Sequence, residues 1–188
     1  LKVLPAQERS LTLCYEIGAL DALELMHRRA GQAAPLNGAC WLDNTLRLRL
    51  SGTASSLATT ASEWGGDLEE DGESFWRALR EHTLPYFQGE SPLWRLSLAS
   101  NSPILCDEPG LLIDWGGAQR WLRGQREPDP LRQLAAGAGG HATLFAGGDR
   151  QSEVRQPLPA GEQRLQQALK RSFDPAGILN PGRLYSWM

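Results

Sequence analysis

The sequence predicts an α+β protein: antiparallel sheets with helices, arranged as two ferredoxin-like (βαββαβ) units and followed by a C-terminal helix and tail. Three observations carry this. Short runs of period-2 alternation recur along the chain, most clearly Leu46, Leu48 and Leu50 against Arg47 and Arg49. Helical periodicity falls between them, as at Leu20, Leu23, Met26, His27 and Ala30. The order strand, helix, strand, strand, helix, strand then recurs, although no residue-level repeat accompanies it.

Residues 10–72 form the first expected unit. Ser10 to Tyr15 alternates as a strand, and Gly18 opens the first helix, which Gly31 stops. Gly38 to Asp43 is a second strand, turned by Asp43-Asn44 into the Leu/Arg strand, since both turn residues tolerate αL. Thr53 is placed as the N-cap of a second helix, with Leu57, Ala61 and Trp64 on its inner face and Gly65-Gly66 at its end. Asp67 to Glu70 is an acidic edge strand. Residues 73–92 are a connector, helical over Ser74–Leu84 and closed by Pro85.

Residues 93–150 form the second unit. Trp94, Leu96 and Leu98 mark a strand, and residues 101–110 are turn-rich with at most a short helix. Leu111–Trp115 and Gln119–Leu122 make a hairpin across Gly116-Gly117. A helix over Pro130–Ala138 and a strand over His141–Phe145 complete it. Residues 151–188 hold a polar loop, a helix over Gln163–Phe173 with Leu165, Ala168, Leu169 and Phe173 on one face, and a closing peptide. That peptide carries two Pro and two Gly between Phe173 and Arg183, which force a defined path for an apolar Ile178-Leu179 pair.

At 188 residues the chain can bury a substantial core. Its net charge of −3, with scattered Lys and Arg, does not point to nucleic acid. No apolar run is long enough for a transmembrane helix. Three widely spaced cysteines argue against a disulfide scaffold and for a reducing compartment. No Cys-x-x-Cys occurs and the three histidines are far apart, so no metal or iron–sulfur site of this chain's own is expected. Leu1 to Pro5 lacks a signal-peptide pattern and reads as a strand end stopped by Pro, which predicts a chain that continues upstream.

Candidate chemistry is sparse. His141, after two glycines at a strand mouth, reads either as a base or donor to a bound ligand or as a strand-end histidine bonded to backbone. The glycine pairs beside it read either as an anion nest or as tight turns. Asp114 and Trp115 flank a sharp turn: the indole reads as a cofactor wall or as core, the carboxylate as a turn cap. Arg47, Arg49 and Arg95 read as a carboxylate or phosphate clamp or as a solvated sheet face. The acidic run from Asp67 to Glu73 reads as solvated.

The closing residues Phe173-Asp174-Pro175-Ala176-Gly177-Ile178-Leu179-Asn180-Pro181-Gly182-Arg183 resemble the C-terminal signature of FAD-linked oxidases of the vanillyl-alcohol oxidase type. Within them the chain resembles the FAD-binding subunits of bacterial glycolate oxidases. That likeness runs through Leu1–Pro5, the Trp41-Leu42-Asp43-Asn44 turn, Leu112 to Ala118, Arg120-Trp121-Leu122 and Gly139 to Thr143. The resemblance implies that residues 1–9 end an FAD-binding domain and that the rest is the cap over the flavin, built of ferredoxin-like units, with FAD held mainly by the absent domain. It implies oxidation of a small 2-hydroxy acid, glycolate, to the 2-oxo acid, with hydride passing to flavin. By position, His141 would face the flavin as a catalytic residue, and Asn180, Pro181, Gly182, Arg183 and Trp115 would contact the cofactor. The implied partners are a catalytic flavoprotein subunit and an iron–sulfur subunit, in a cytoplasmic complex peripheral to the inner membrane. Catalytic relatives carry His-x-Gly-[Asp/Glu]-Gly-Asn-x-His in the strand where this chain has His141-Ala142-Thr143-Leu144-Phe145. Direct catalysis, electron relay and assembly all stay open at this point.

Overall fold

The computed structural model describes residues 8–104, 109–151 and 153–188. Leu1–Pro5, most of the expected 1–9 segment, and Cys106 lie outside the described residues.

The described chain forms a single antiparallel sheet of eight strands rather than separate sheets, in the order β4-β1-β3-β2-β6-β7-β5-β8. The strands are β1 (Arg9–Glu16), β2 (Leu36–Leu42), β3 (Thr45–Gly52), β4 (Asp67–Leu68), β5 (Leu93–Ser97), β6 (Leu111–Asp114), β7 (Gln119–Arg123) and β8 (His141–Ala146). The helices are α1 (Ala19–Ala30), α2 (Ala54–Trp64), α3 (Gly72–Arg80), α4 (Pro128–Gly137) and α5 (Ala160–Phe173). The two halves meet where β2 pairs with β6, at Trp41 opposite Ile113. Each half places its strands in mirror order, but no helix stands between β5 and β6 among the described residues.

Alternation decides the faces. Leu46, Leu48 and Leu50 of β3 are fully buried beneath α1 and α2, with Leu13 of β1 and Ala22, Leu23 and Met26 of α1. Each such leucine contributes about 1.5–3 kcal/mol of burial. Trp94, Leu96, Leu122, Ala142 and Leu144 continue that core beneath α4, through Leu131 and Ala135. Thr53 caps α2 as expected, its side chain accepting from Ser56 N–H at 3.3 Å.

The opposite face is covered only in part. There Trp76 and Leu79 of α3 pack on Cys40, Leu42, Leu112 and Trp121. Trp76 Nε1 donates to Thr12 Oγ1 at 2.9 Å. Gly72 lets α3 approach this closely, since a Cβ there would sit 2.3 Å from Thr12 Oγ1.

Two expectations are corrected. The acidic run is not simply solvated: Glu69 accepts from Arg47 Nε at 2.9 and 3.0 Å, and Glu73 from Arg49 at 2.8 Å. The same pairs overturn the solvated-face reading of Arg47 and Arg49 and occupy them as a ligand clamp. The edge strand β4 and the start of α3 lie beside β1 and β3, so their carboxylates reach the arginines. In α5, Leu165 and Phe173 are 62% and 82% exposed and no residue is buried, so its apolar stripe is not packed into the core.

Candidate functional site

Four polar residues stand in one row across the second half of the sheet. Asp114 pairs with Gln119, Gln119 with Ser97, and Ser97 with His141. Ile113, Leu96 and Ala142, adjacent in sequence to Asp114, Ser97 and His141, belong to the core under the helices. The row therefore lies on the other face, the one only partly covered. At the usual strand spacing its ends, Asp114 and His141, are about 14 Å apart.

A cleft of about 300 Å³ opens at the Asp114 end, between the sheet and α3. From α3 it is lined by Glu73, Trp76, Arg77 and Arg80, which recur at helical spacing on one side of the helix. His82, Asp114, Trp115 and Gln119 complete the wall. Arg49 also enters it, neutralised by Glu73.

Asp114 is 8% exposed, and its Oδ1 accepts a hydrogen bond from Trp115 N–H at 2.8 Å. Burial pushes its pKa up to about 6, against the smaller opposing effect of that hydrogen bond. Trp115 has φ of +53° and is 71% exposed, so the core reading of this indole does not hold. His82 is also left-handed, at φ +53°, and its ring is bounded by Phe87, Trp121 and Phe145. Burial, helped by Arg95, lowers its pKa and favours the neutral ring.

The sequence candidates do not converge on one cleft. Trp115 lines the one just described. His141 is exposed and borders a different hollow with Gln156, Leu158 and Tyr185. Gly182 and Arg183 border a third, against Arg150 and Glu153. The tail returns to the domain there: Tyr185 is buried and donates to the Gln156 carbonyl at 3.3 Å, and Ser186 N–H donates to Glu153 at 2.9 Å. Asn180, at φ +49°, and Pro181 are exposed. Asp114 was legible as a turn cap. Arg77, Arg80 and His82 were not singled out, although the i, i+3, i+4, i+7 spacing of Glu73, Trp76, Arg77 and Arg80 was available.

Two of the paired glycines are closed in by the chain, as tight turns require. A Cβ on Gly140 would lie 2.0 Å from the Ser97 carbonyl, and one on Gly147 2.8 Å from that of Glu90. The chain itself takes the space beside these two, while a Cβ on Gly139 would meet nothing within 4 Å. Cys14 and Cys40 are free thiols that burial holds mainly protonated, Cys14 at about 11. Among the described residues no group of His, Cys, Asp or Glu is placed to hold a metal ion.

The architecture is thus an α+β sheet module with a cationic, tryptophan-lipped cleft. No family model matches the chain. Its sequence is 42% identical over 187 residues to "Glycolate oxidase subunit GlcE" of Escherichia coli (strain K12). The match covers 99% of this chain and 52% of the relative, along the relative's C-terminal part. The chain is a homologue of that part of a glycolate oxidase subunit, and it spans about half the relative's length. Among the described residues no helix is long and apolar enough to cross a membrane.

Proposed function

We propose that this chain is the cap part of an FAD-dependent subunit of a glycolate oxidase complex, a protein that oxidises glycolate to glyoxylate or relays the resulting electrons. The observation that carries the reading is the match to a glycolate oxidase subunit across essentially the whole chain. The half-covered sheet supports it: a face with helices on one side and a polar row on the other is suited to lie over a ligand held elsewhere.

On this reading the two halves of the sheet, residues 10–72 and 93–150, are ferredoxin-like units fused across β2 and β6. Residues 73–92 connect them, and residues 151–188 return toward the remainder of a longer protein. FAD would be held mainly by that remainder. Trp115, His141 and the Asn180–Arg183 peptide are the proposed contacts from this side. A catalytic flavoprotein subunit and an iron–sulfur subunit are the proposed partners, in a complex on the cytoplasmic side of the membrane.

A second reading, that the module serves assembly and not chemistry, is favoured by one observation: β8 places no carboxylate or second histidine beside His141. The test uses the full-length subunit. A bound flavin that glycolate bleaches in the isolated subunit supports catalysis. A flavin reduced only after the partner subunits are added supports relay. A colourless full-length subunit overturns both and leaves assembly. This chain alone is expected to be colourless.

A further inference from the structure

We propose that the segment 153–156 is a strap over the outer edge of β8, clasped by Tyr185 and Ser186, and that β8 pairs with the β8 of a second copy of this chain once the strap lifts. The inference does not depend on the glycolate oxidase reading.

The two edges of the sheet are built differently. β4 is two residues long, carries Asp67, and runs into Glu69 and Glu70. A short, charged edge resists pairing with another chain. β8 closes the opposite side with six residues, His-Ala-Thr-Leu-Phe-Ala, none of them Lys, Arg, Asp, Glu or Pro. An edge strand of that composition is a template for a further strand unless something covers it.

The cover is on the page. Ala142 and Leu144 direct their N–H groups away from β5, as alternate residues of an edge strand do. Leu144 N–H donates to the Val154 carbonyl at 2.8 Å, and Ala142 N–H donates to the Gln156 side-chain oxygen at 2.9 Å. Arg150 donates to the Leu144 and Phe145 carbonyls at 3.2 and 3.0 Å. Of these contacts only Leu144 to Val154 joins backbone to backbone. The others are side-chain substitutes for what a paired strand would supply. The tail then holds the strap from its far side. The Glu153 carboxylate accepts from Ser186 N–H at 2.9 Å and from the Ser186 hydroxyl. The Gln156 carbonyl accepts from the Tyr185 hydroxyl at 3.3 Å, and Tyr185 is buried and stacked on Trp187. None of these clasp contacts belongs to the sheet's own ladders, so loosening them can free the strap and spare the sheet.

The pattern of β8 selects its own copy as the occupant. A twofold axis at Thr143 lays two β8 strands antiparallel, with Ala142 opposite Leu144 of the second copy. Both of those residues carry outward N–H groups, so they form a hydrogen-bonded pair. Both also belong to the core under the helices, so that face continues across the junction. On the other face Thr143 meets Thr143 of the second copy, and His141 meets Phe145, whose ring is 37% exposed. A slip of one residue would set Thr143 against the core face, which fixes the register. The strand is thus self-complementary, as a twofold contact requires.

The experiment compares this chain with a Glu153→Ala, Tyr185→Phe variant by sedimentation velocity over a concentration series. The parent should sediment as a monomer. The unclasped variant should associate about tenfold or more tightly, the value of one or two hydrogen bonds lost from the competing strap. Gln156→Ala, which uncaps Ala142 without touching the clasp, should shift association in the same direction. Thr143→Cys reports the register, because residues opposed in a non-hydrogen-bonded antiparallel pair are close enough for a disulfide. Added to the unclasped variant, it should give a covalent dimer on mild oxidation, while the unclasped variant without it should give none. Circular dichroism melting checks that each variant folds. The proposal is overturned if the folded variants associate no more than the parent, if the dimer does not cross-link through Thr143→Cys, or if Thr143→Cys cross-links the clasped parent as readily.

Discussion

Asp114, 8% exposed, holds the backbone of Trp115, 71% exposed, through a single 2.8 Å hydrogen bond. A buried carboxylate thus fixes the left-handed turn that pushes an indole out over the cleft. Burial raises the Asp114 pKa from 3.8 to about 6. The folded state therefore holds this proton more tightly than the unfolded chain does. The cost of ionising Asp114 is absent below pH 3.8, grows as pH rises, and is complete above about pH 6. Its size is on the order of 3 kcal/mol. Asp114→Asn should accordingly be more stable than the parent at neutral pH and lose that advantage toward pH 4. Urea midpoints of the two proteins across this range check it, and a constant difference would contradict the buried-carboxylate account.

Trp76 and Thr12 seat α3 on the sheet through a buried 2.9 Å hydrogen bond. Thr12→Val removes the acceptor and leaves the indole N–H unpaired, which should cost about 1–3 kcal/mol. Thr12→Ser should recover most of that loss in urea denaturation. Gly72→Ala acts on the same seat by overpacking, because its Cβ would fall 2.3 Å from Thr12 Oγ1. A cost of about 1–3 kcal/mol is expected.

The strands and the five helices were legible because one chemistry dominates each. Leu46, Leu48 and Leu50 can bury only on one side of a strand, and Leu23 with Met26 only on one side of a helix. What was not legible depends on which elements become neighbours. Arg47 and Glu69, or Arg49 and Glu73, are more than twenty residues apart, and only the β4-β1-β3 order brings them together. The burial of Asp114 is set by cross-strand neighbours and α3, not by the residues beside it in sequence. The glycine pairs left nest and tight turn both open in sequence, and the Ser97 and Glu90 carbonyls crowd Gly140 and Gly147 as turns do. The separation of His141 from Trp115 follows from strand order, since β7 and β5 lie between their strands.

Asp174 is the anchor of the closing peptide. It accepts from Lys170 Nζ at 2.6 Å, from Leu179 N–H at 2.9 Å and from Ile178 N–H at 3.1 Å. Lys170, followed by these backbone donors, lowers its pKa. For a lowered carboxylate the contribution to order is complete above the unfolded value of 3.8 and is lost as pH falls through the folded value below it. Asp174→Ala should leave the melting of the sheet unchanged but expose the peptide after α5 to limited proteolysis. The parent should show the same sensitivity only under strong acid.

The exposed stripe of α5 gives the sharpest contrast between this chain and a longer protein. Leu169 is 49% and Phe173 82% exposed, and Ile178 and Leu179 extend the apolar surface into the tail. In this chain nothing among the described residues covers them. Leu169→Gln with Phe173→Ser should therefore shift stability by no more than about 0.5 kcal/mol per site. Leu48→Ala, in the core beneath α1, should cost about 2–5 kcal/mol and serves as the control. In a full-length subunit whose remaining half packs on this stripe, the same pair of surface changes should cost several-fold more, because buried apolar area is then lost. Equal effects in the two contexts would mean that the stripe stays bare in the longer protein, and that the closing peptide does not return to it.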